Sequence, residues 1–245
     1  MATVPVQGDS VVASLRRDLL SATEVFARIT VSALPVALLT GVLARLAMLL
    51  LARLNSAAAG MDTDDGFAIG RFTAAGTLNL LLAVAVVSLV GVGCYAVLRR
   101  LMIGPRWFQV LSISLGPAVV VGSMLVHTTG VDFTVLEPPL LAIALFMALP
   151  MVFVALLTCT AEWVLSTGRL RGVGWTVVGL VAWAPLAPLA LAIGVGFLGW
   201  AAVRRIDGVG SRLTGARAAW VARGGLTAIF VAGLVDLVRD AALLV

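Results

Sequence analysis

TAAGTLNLLLAVAVVSLVGVGCYAVLRR, residues 73–100, decides the fold. Twenty-six residues pass without a charged side chain, and two arginines close the run. An α-helix needs about 20 apolar residues to cross about 30 Å of hydrocarbon, so this stretch spans a bilayer. Working outward, three further stretches have the same character. Residues 26–54 are apolar apart from Arg28, Arg45 and Arg53, and include Pro35. Residues 108–126 contain Gly116-Pro117, which predicts a kink. A fourth run opens at Pro138-Pro139, suited to a helix start because proline has no N–H to satisfy, and closes near Glu162-Trp163. The expectation is an all-α, polytopic transmembrane bundle of about six spans, four firmly marked.

The other two spans are less sharply drawn. Residues 173–203 are apolar but carry Pro185 and Pro188, and as one straight helix would measure about 46 Å. They read either as one tilted, kinked span or as a re-entrant hairpin of two half-helices, and tilting is the commoner solution. Residues 224–245 are long enough for a last crossing.

Composition agrees with membrane residence. The 245 residues are 61% hydrophobic and 12% charged, far from the balance of a soluble domain. Spans and short connections use up the chain. It therefore reads as a single integral membrane domain, with a cytoplasmic N-terminal segment over 1–25 and the bundle over 26–245. That first segment lacks the short apolar core of a cleavable signal, so the first span is expected to stay as an anchor. All 17 basic residues are arginine. They sit in loops beside apolar helices, where they orient the chain and meet anionic headgroups; nucleic-acid binding is not implied.

With the N-terminus inside, Arg16, Arg17, Arg28, Arg99, Arg100, Arg106, Arg169 and Arg171 are cytoplasmic and only Arg53 and Arg71 face out. The positive-inside rule selects that orientation, and with it a multi-pass protein of the bacterial cytoplasmic membrane. A single span over 173–203 would leave Arg204, Arg205, Arg212 and Arg217 outside, against the rule.

Several residues invite a functional reading. Arg45 lies about 24 Å into the first span, and an intramembrane cation generally faces the bundle interior with a partner. Asp132 and Glu137, in the loop before the fourth span, are its candidate partners. Asp236, Arg239 and Asp240 form a second group, near mid-bilayer when counted from Gly224, with Asp236 and Arg239 at i,i+3 spacing. Arg45 reads as such a paired charge, with snorkelling to the headgroups as the alternative, and the second group reads as a structural pair, a solvated end or a transport path. The sole histidine, His127, stands beside two threonines and reads as a surface residue. Asn79 suits an interhelical hydrogen bond, the six tryptophans suit interfacial anchoring, and Cys94 and Cys159 suit small packing positions. Ala190, Gly194 and Leu198, beside Ala192, Gly196 and Trp200, have spacing that permits close helix approach.

GVLARLAM (41–48), FTAAGTLNLLLA (72–83), VDFTVLEPPLLAIALF (131–146) and LVDLVRDAALLV (234–245) resemble segments of a group of uncharacterised multi-span membrane proteins from high-GC Gram-positive (actinobacterial) bacteria. The resemblance implies six spans and brings no activity or ligand.

Membrane enzymes need convergent nucleophiles, acids or metal ligands, and the sequence supplies one histidine and scattered carboxylates. No cofactor or metal is expected. The leading expectation is a non-enzymatic accessory or scaffolding subunit, its partners membrane lipids and other membrane proteins. The alternative is a small-solute or ion transporter using Arg45 and Asp236/Asp240, for which broken helices at Pro185-Pro188 and Gly116-Pro117 would be suitable.

Overall fold

Helices account for every long element described in the computed structural model, which describes residues 7–58, 60–61, 69–71, 73–126, 135–203 and 215–244. In chain order they are α1 (Gln7–Leu54), α2 (Ala74–Leu98), α3 (Arg106–Leu125), α4 (Pro139–Thr167), α5 (Val173–Val181), α6 (Ala187–Val203) and α7 (Ala216–Leu244). Five of them, α1, α2, α3, α4 and α7, are long and apolar enough to cross a membrane. A sixth crossing is available if α5 and α6, bent by 50° at their break, count as one span. The chain is a multi-span helical membrane protein.

Local chemistry explains the boundaries. Thr73 caps α2, its Oγ1 accepting from the Gly76 N–H at 3.0 Å. Pro138 and Pro139 start α4 as the sequence implies, and Gly168 ends it in a left-handed conformation (φ 68°) that glycine adopts without strain. Helix α1 has 48 residues, about 72 Å. It therefore extends well beyond any bilayer, so most of 1–25 continues the first span as helix. Pro35, Pro117 and Pro150 are carried inside α1, α3 and α4 without interrupting them.

Four helices alternate in direction and meet at small residues. A Cβ on Gly41 of α1 would lie 2.6 Å from Leu81 of α2, one on Gly91 of α2 would lie 2.9 Å from Phe153 of α4, and one on Gly122 of α3 would lie 2.9 Å from Met147 of α4. Without a hydrophobic drive between helices in lipid, such close backbone approach supplies the packing energy. Two apolar cores result. One joins Ile29, Val92, Tyr95, Phe153, Leu157 and Trp183; the other, at the opposite end, joins Leu51, Val126, Leu136, Ile143 and Leu237.

Helix α7 lies along α3. Arg223 Nε donates to the Leu101 carbonyl at 2.9 Å, a Cβ on Gly233 would contact Ser123 and Val119, and Leu237 approaches Gly122. These contacts advance together, so α7 runs parallel to α3. Only 6% of its most apolar stretch is buried, against 22–33% for the other four spans.

Three expectations change. Trp183 is not an interfacial anchor: it is 2% exposed, its Nε1 donates to Thr30 Oγ1 at 3.1 Å, and its ring lies 5.2 Å from that of Phe26. Its indole N–H finds a hydroxyl because an unpaired one would be costly inside the bundle. Cys94 and Cys159 are exposed free thiols on helix surfaces, not interior packing residues. Asn79 is exposed on α2, and the interhelical hydrogen bonds belong to other residues.

Candidate functional site

The densest polar chemistry lies at the end of the bundle where α2 and α4 finish. Tyr95 and Arg99 stand one turn apart at the end of α2, and Glu162 faces them from α4. Tyr95 Oη donates to Glu162 Oε1 at 2.9 Å. Arg99 forms a two-point bond with the same carboxylate, Nε to Oε1 and Nη2 to Oε2, the latter at 3.2 Å. Fork-to-fork geometry of this kind fixes orientation as well as charge. Both side chains of the ion pair are about one-third exposed (33% and 34%), so solvent and headgroups screen it.

Beside it Arg28 of α1 is buried, at 4% exposure. Its Nη2 donates to the Val164 carbonyl at 2.6 Å and its Nε to the Arg169 carbonyl at 2.9 Å. The last carbonyls of a helix lack intrahelical donors and carry the negative end of its dipole. Arg28 thus closes α4 across 136 and 141 residues of sequence. Arg169 then folds over the Trp163 ring, 4.3 Å from its centroid. Together these residues form a polar fastener joining α1, α2 and α4.

The opposite end holds a different link. Asn55, just past α1, accepts from the Glu137 N–H through Oδ1 at 2.7 Å and donates through Nδ2 to the Glu137 carbonyl at 3.0 Å. The first span is therefore tied to the segment before α4, as the sequence suggests, but through Asn55 and the Glu137 backbone.

Of the residues singled out from sequence, Arg45 is half-buried with its Nε enclosed, and it is not without a partner. Asp132 and His127 lie outside the described residues. Glu137, one of the two candidate partners, is level with Asn55, ten residues and about 15 Å beyond Arg45 along the axis. Asp236 and Arg239 are exposed on α7, and Asp240 is partly buried. Because α7 begins at Ala216 and Leu237 packs at Gly122, three residues from the end of α3, the group lies near the bundle's end instead of mid-bilayer. Among the described residues, Arg45, Glu137 and the Asp236–Asp240 group thus stand at three separate places.

Sequence reading missed the Tyr95–Arg99–Glu162 unit and treated Arg28 and Arg99 as markers of orientation. A signal was available: Tyr95 and Arg99 are spaced i,i+4, and Glu162 is the sole acid in the fourth span. Among the described residues, no group of three His, Cys, Asp or Glu is placed to hold a metal ion. A shallow apolar crevice, with room for about one water molecule, lies between Ala44, Met48, Phe146 and Leu149. Compared with family models, curated proteins and solved structures, the chain finds no match.

Proposed function

We propose that this protein is a non-enzymatic accessory or scaffolding subunit of a membrane complex, resident in the bacterial cytoplasmic membrane with its N-terminus inside. The observation that carries the reading is α7, a full-length apolar helix only 6% buried over its most apolar stretch. It touches its own bundle along a narrow line through Gly233 and Leu237, and leaves Val221, Ile229, Val231, Val235 and Val238 exposed. Gly224 and Gly225 stand in open space, leaving room for another helix to approach closely. The polar cluster supports the same reading. Both oxygens of Glu162 are taken by Arg99 and Tyr95, and Arg28 is spent on the carbonyls of Val164 in α4 and of Arg169 just past it, so these groups fasten helices together.

The test is extraction from native membranes in lipid-retaining polymer discs, comparing the natural chain with Gly225→Trp. A discrete assembly above the 25.3 kDa chain, containing a second polypeptide in fixed ratio and lost in the variant, is the expected result. A lone chain in both samples refutes the proposal.

The enclosed Arg45 favours one other reading, a small-solute or ion transporter. Flux in proteoliposomes that falls with Arg45→Leu would select it.

A further inference from the structure

We infer that the bent pair α5–α6 does not carry the chain across the membrane. The chain leaves α4 and enters α7 on one face and crosses five times, so that α1 begins and α7 ends on opposite faces.

The faces are set by hydrogen bonds. Arg28 bonding to Val164 and Arg169 puts the end of α4 level with the Arg28 turn of α1. Arg99 bonding to Glu162 puts the α2–α3 connection on the same face. Arg223, in the second turn of α7, bonds to Leu101 of that connection at 2.9 Å, so α7 starts there too. It then runs parallel to α3, and Leu237, Ala241 and Leu244 pack at the far end with Leu51, Val126 and Leu136. The segment between α4 and α7 therefore begins and ends on the face of Arg99.

Depth along α5–α6 agrees. A Cβ on Gly179 would lie 2.5 Å from the Ala27 carbonyl, and Trp183 bonds to Thr30. Thr30 is two residues, about 3 Å of helix rise, from Arg28. After the whole of α5, about 13 Å of helix, the chain has descended little below the level at which it entered. Trp183 and Ile193 then reach the same glycine: a Cβ on Gly93 would lie 3.5 Å from Trp183 and 3.4 Å from Ile193. Ten residues of a span running down the bundle would separate them by about 15 Å. The pair thus lies obliquely near one end.

Charge closes the alternative. If α6 ended on the far face, RRIDGVGSRLT (204–214) would have to recross the hydrocarbon with three arginines and an aspartate. Each such residue strongly disfavours insertion at the centre of a spanning helix. With five crossings, Arg99, Arg100, Arg106, Arg169, Arg171, Arg204, Arg205, Arg212, Arg217 and Arg223 share one face, and the conflict with the positive-inside rule disappears. Arginines bracket the pair on both sides, and exposed Val173, Val181, Leu191 and Val195 between them suit the acyl chains of a single leaflet.

The test is labelling with a membrane-impermeant maleimide in intact cells, on a chain carrying Cys94→Ser and Cys159→Ser. Single cysteines are placed as Arg106→Cys, as Arg217→Cys and after Val245. Positions 106 and 217 should behave alike and the added terminal cysteine oppositely. Opposite behaviour of 106 and 217, or a terminal cysteine on the side of 106, overturns the inference. Alkaline phosphatase or fluorescent protein fused to the C-terminus of the unsubstituted chain gives the same decision without relying on the folding of the variants.

Discussion

Gly179→Ala should weaken the seating of α5 on α1, and the size of the effect follows from the packing. The added carbon would stand 2.5 Å from the Ala27 carbonyl oxygen, 2.7 Å from its Cα and 2.8 Å from its Cβ. An ordinary C···O approach is about 3.3–3.6 Å, so the helices must part by about 1 Å. The obstructing atoms are backbone, and no rotamer change relieves them. Forcing an extra carbon into such a site costs about 1–3 kcal/mol. Retreat of α5 also strains the Trp183–Thr30 hydrogen bond, a contribution of about 0.5–1.5 kcal/mol. Against this, replacing a helical glycine by alanine gains up to about 1 kcal/mol. Gly196→Ala isolates that gain, because nothing lies within 4 Å of a Cβ there. The informative quantity is the difference between the two variants, about 1–4.5 kcal/mol in favour of Gly196→Ala. At about 2–4 °C per kcal/mol for a chain of this size, thermal unfolding in lipid nanodiscs should separate them by several degrees. Equal shifts in the two variants would refute the close α1–α5 contact.

Other perturbations probe the fastener and the intramembrane charge. Arg28→Met removes the guanidinium bonds to the Val164 and Arg169 carbonyls; charge-assisted bonds contribute about 1.5–3 kcal/mol, so its unfolding temperature should fall well below that of Arg100→Met, which alters an exposed side chain. Tyr95→Phe and Glu162→Gln should be non-additive, because both touch one carboxylate; a double-mutant cycle in nanodiscs should give a coupling of about 1 kcal/mol at this screened site, and additivity would deny the bond. The sequence expectation that Arg45 pairs with Asp132 makes the loss of unfolding temperature in Arg45→Leu combined with Asp132→Leu smaller than the sum of the single changes, since a charge left without its partner in low dielectric costs more than an absent pair; strict additivity would deny that pair. Arg45→Leu with Glu137→Leu should be additive, given the 15 Å of helix between Asn55 and Arg45.

The spans were legible because lipid penalises every charge and every unpaired backbone group, so sequence alone marks where a helix enters and leaves. Residues 73–98, closed by Arg99 and Arg100, and the start of α4 at Pro138-Pro139 needed no tertiary information, whereas α4 runs to Thr167, beyond the Glu162-Trp163 end expected for it. What a charge does at the end of a span was not legible. Arg28, Arg99 and Arg100 look alike in sequence, yet one is buried on carbonyls at the end of α4, one grips Glu162 and one is exposed. That difference depends on which helices are neighbours. Counting from an assumed start misplaced Asp236 for a related reason: Gly224 and Gly225 look like a boundary, but α7 runs through them from Ala216.

The hydrogen bonds divide the molecule into parts of different rigidity. Arg28, Arg99 and Glu162 tie α1, α2 and α4 together at one end, and Asn55 ties α1 to the approach to α4 at the other. These long-range bonds cannot form until residues 137–169 have been added to the chain, so the first four helices become a locked unit only when α4 is in place. The later elements are attached more lightly. Trp183 pins the α5–α6 break to Thr30, and Arg223 with the Gly233–Leu237 line holds α7 against α3. An element with few buried contacts opens at lower free energy than the core. Helix α7 can therefore exchange lipid for a partner helix without disturbing the Arg28–Glu162 end, and it is on α7 that an added subunit would find the least resistance.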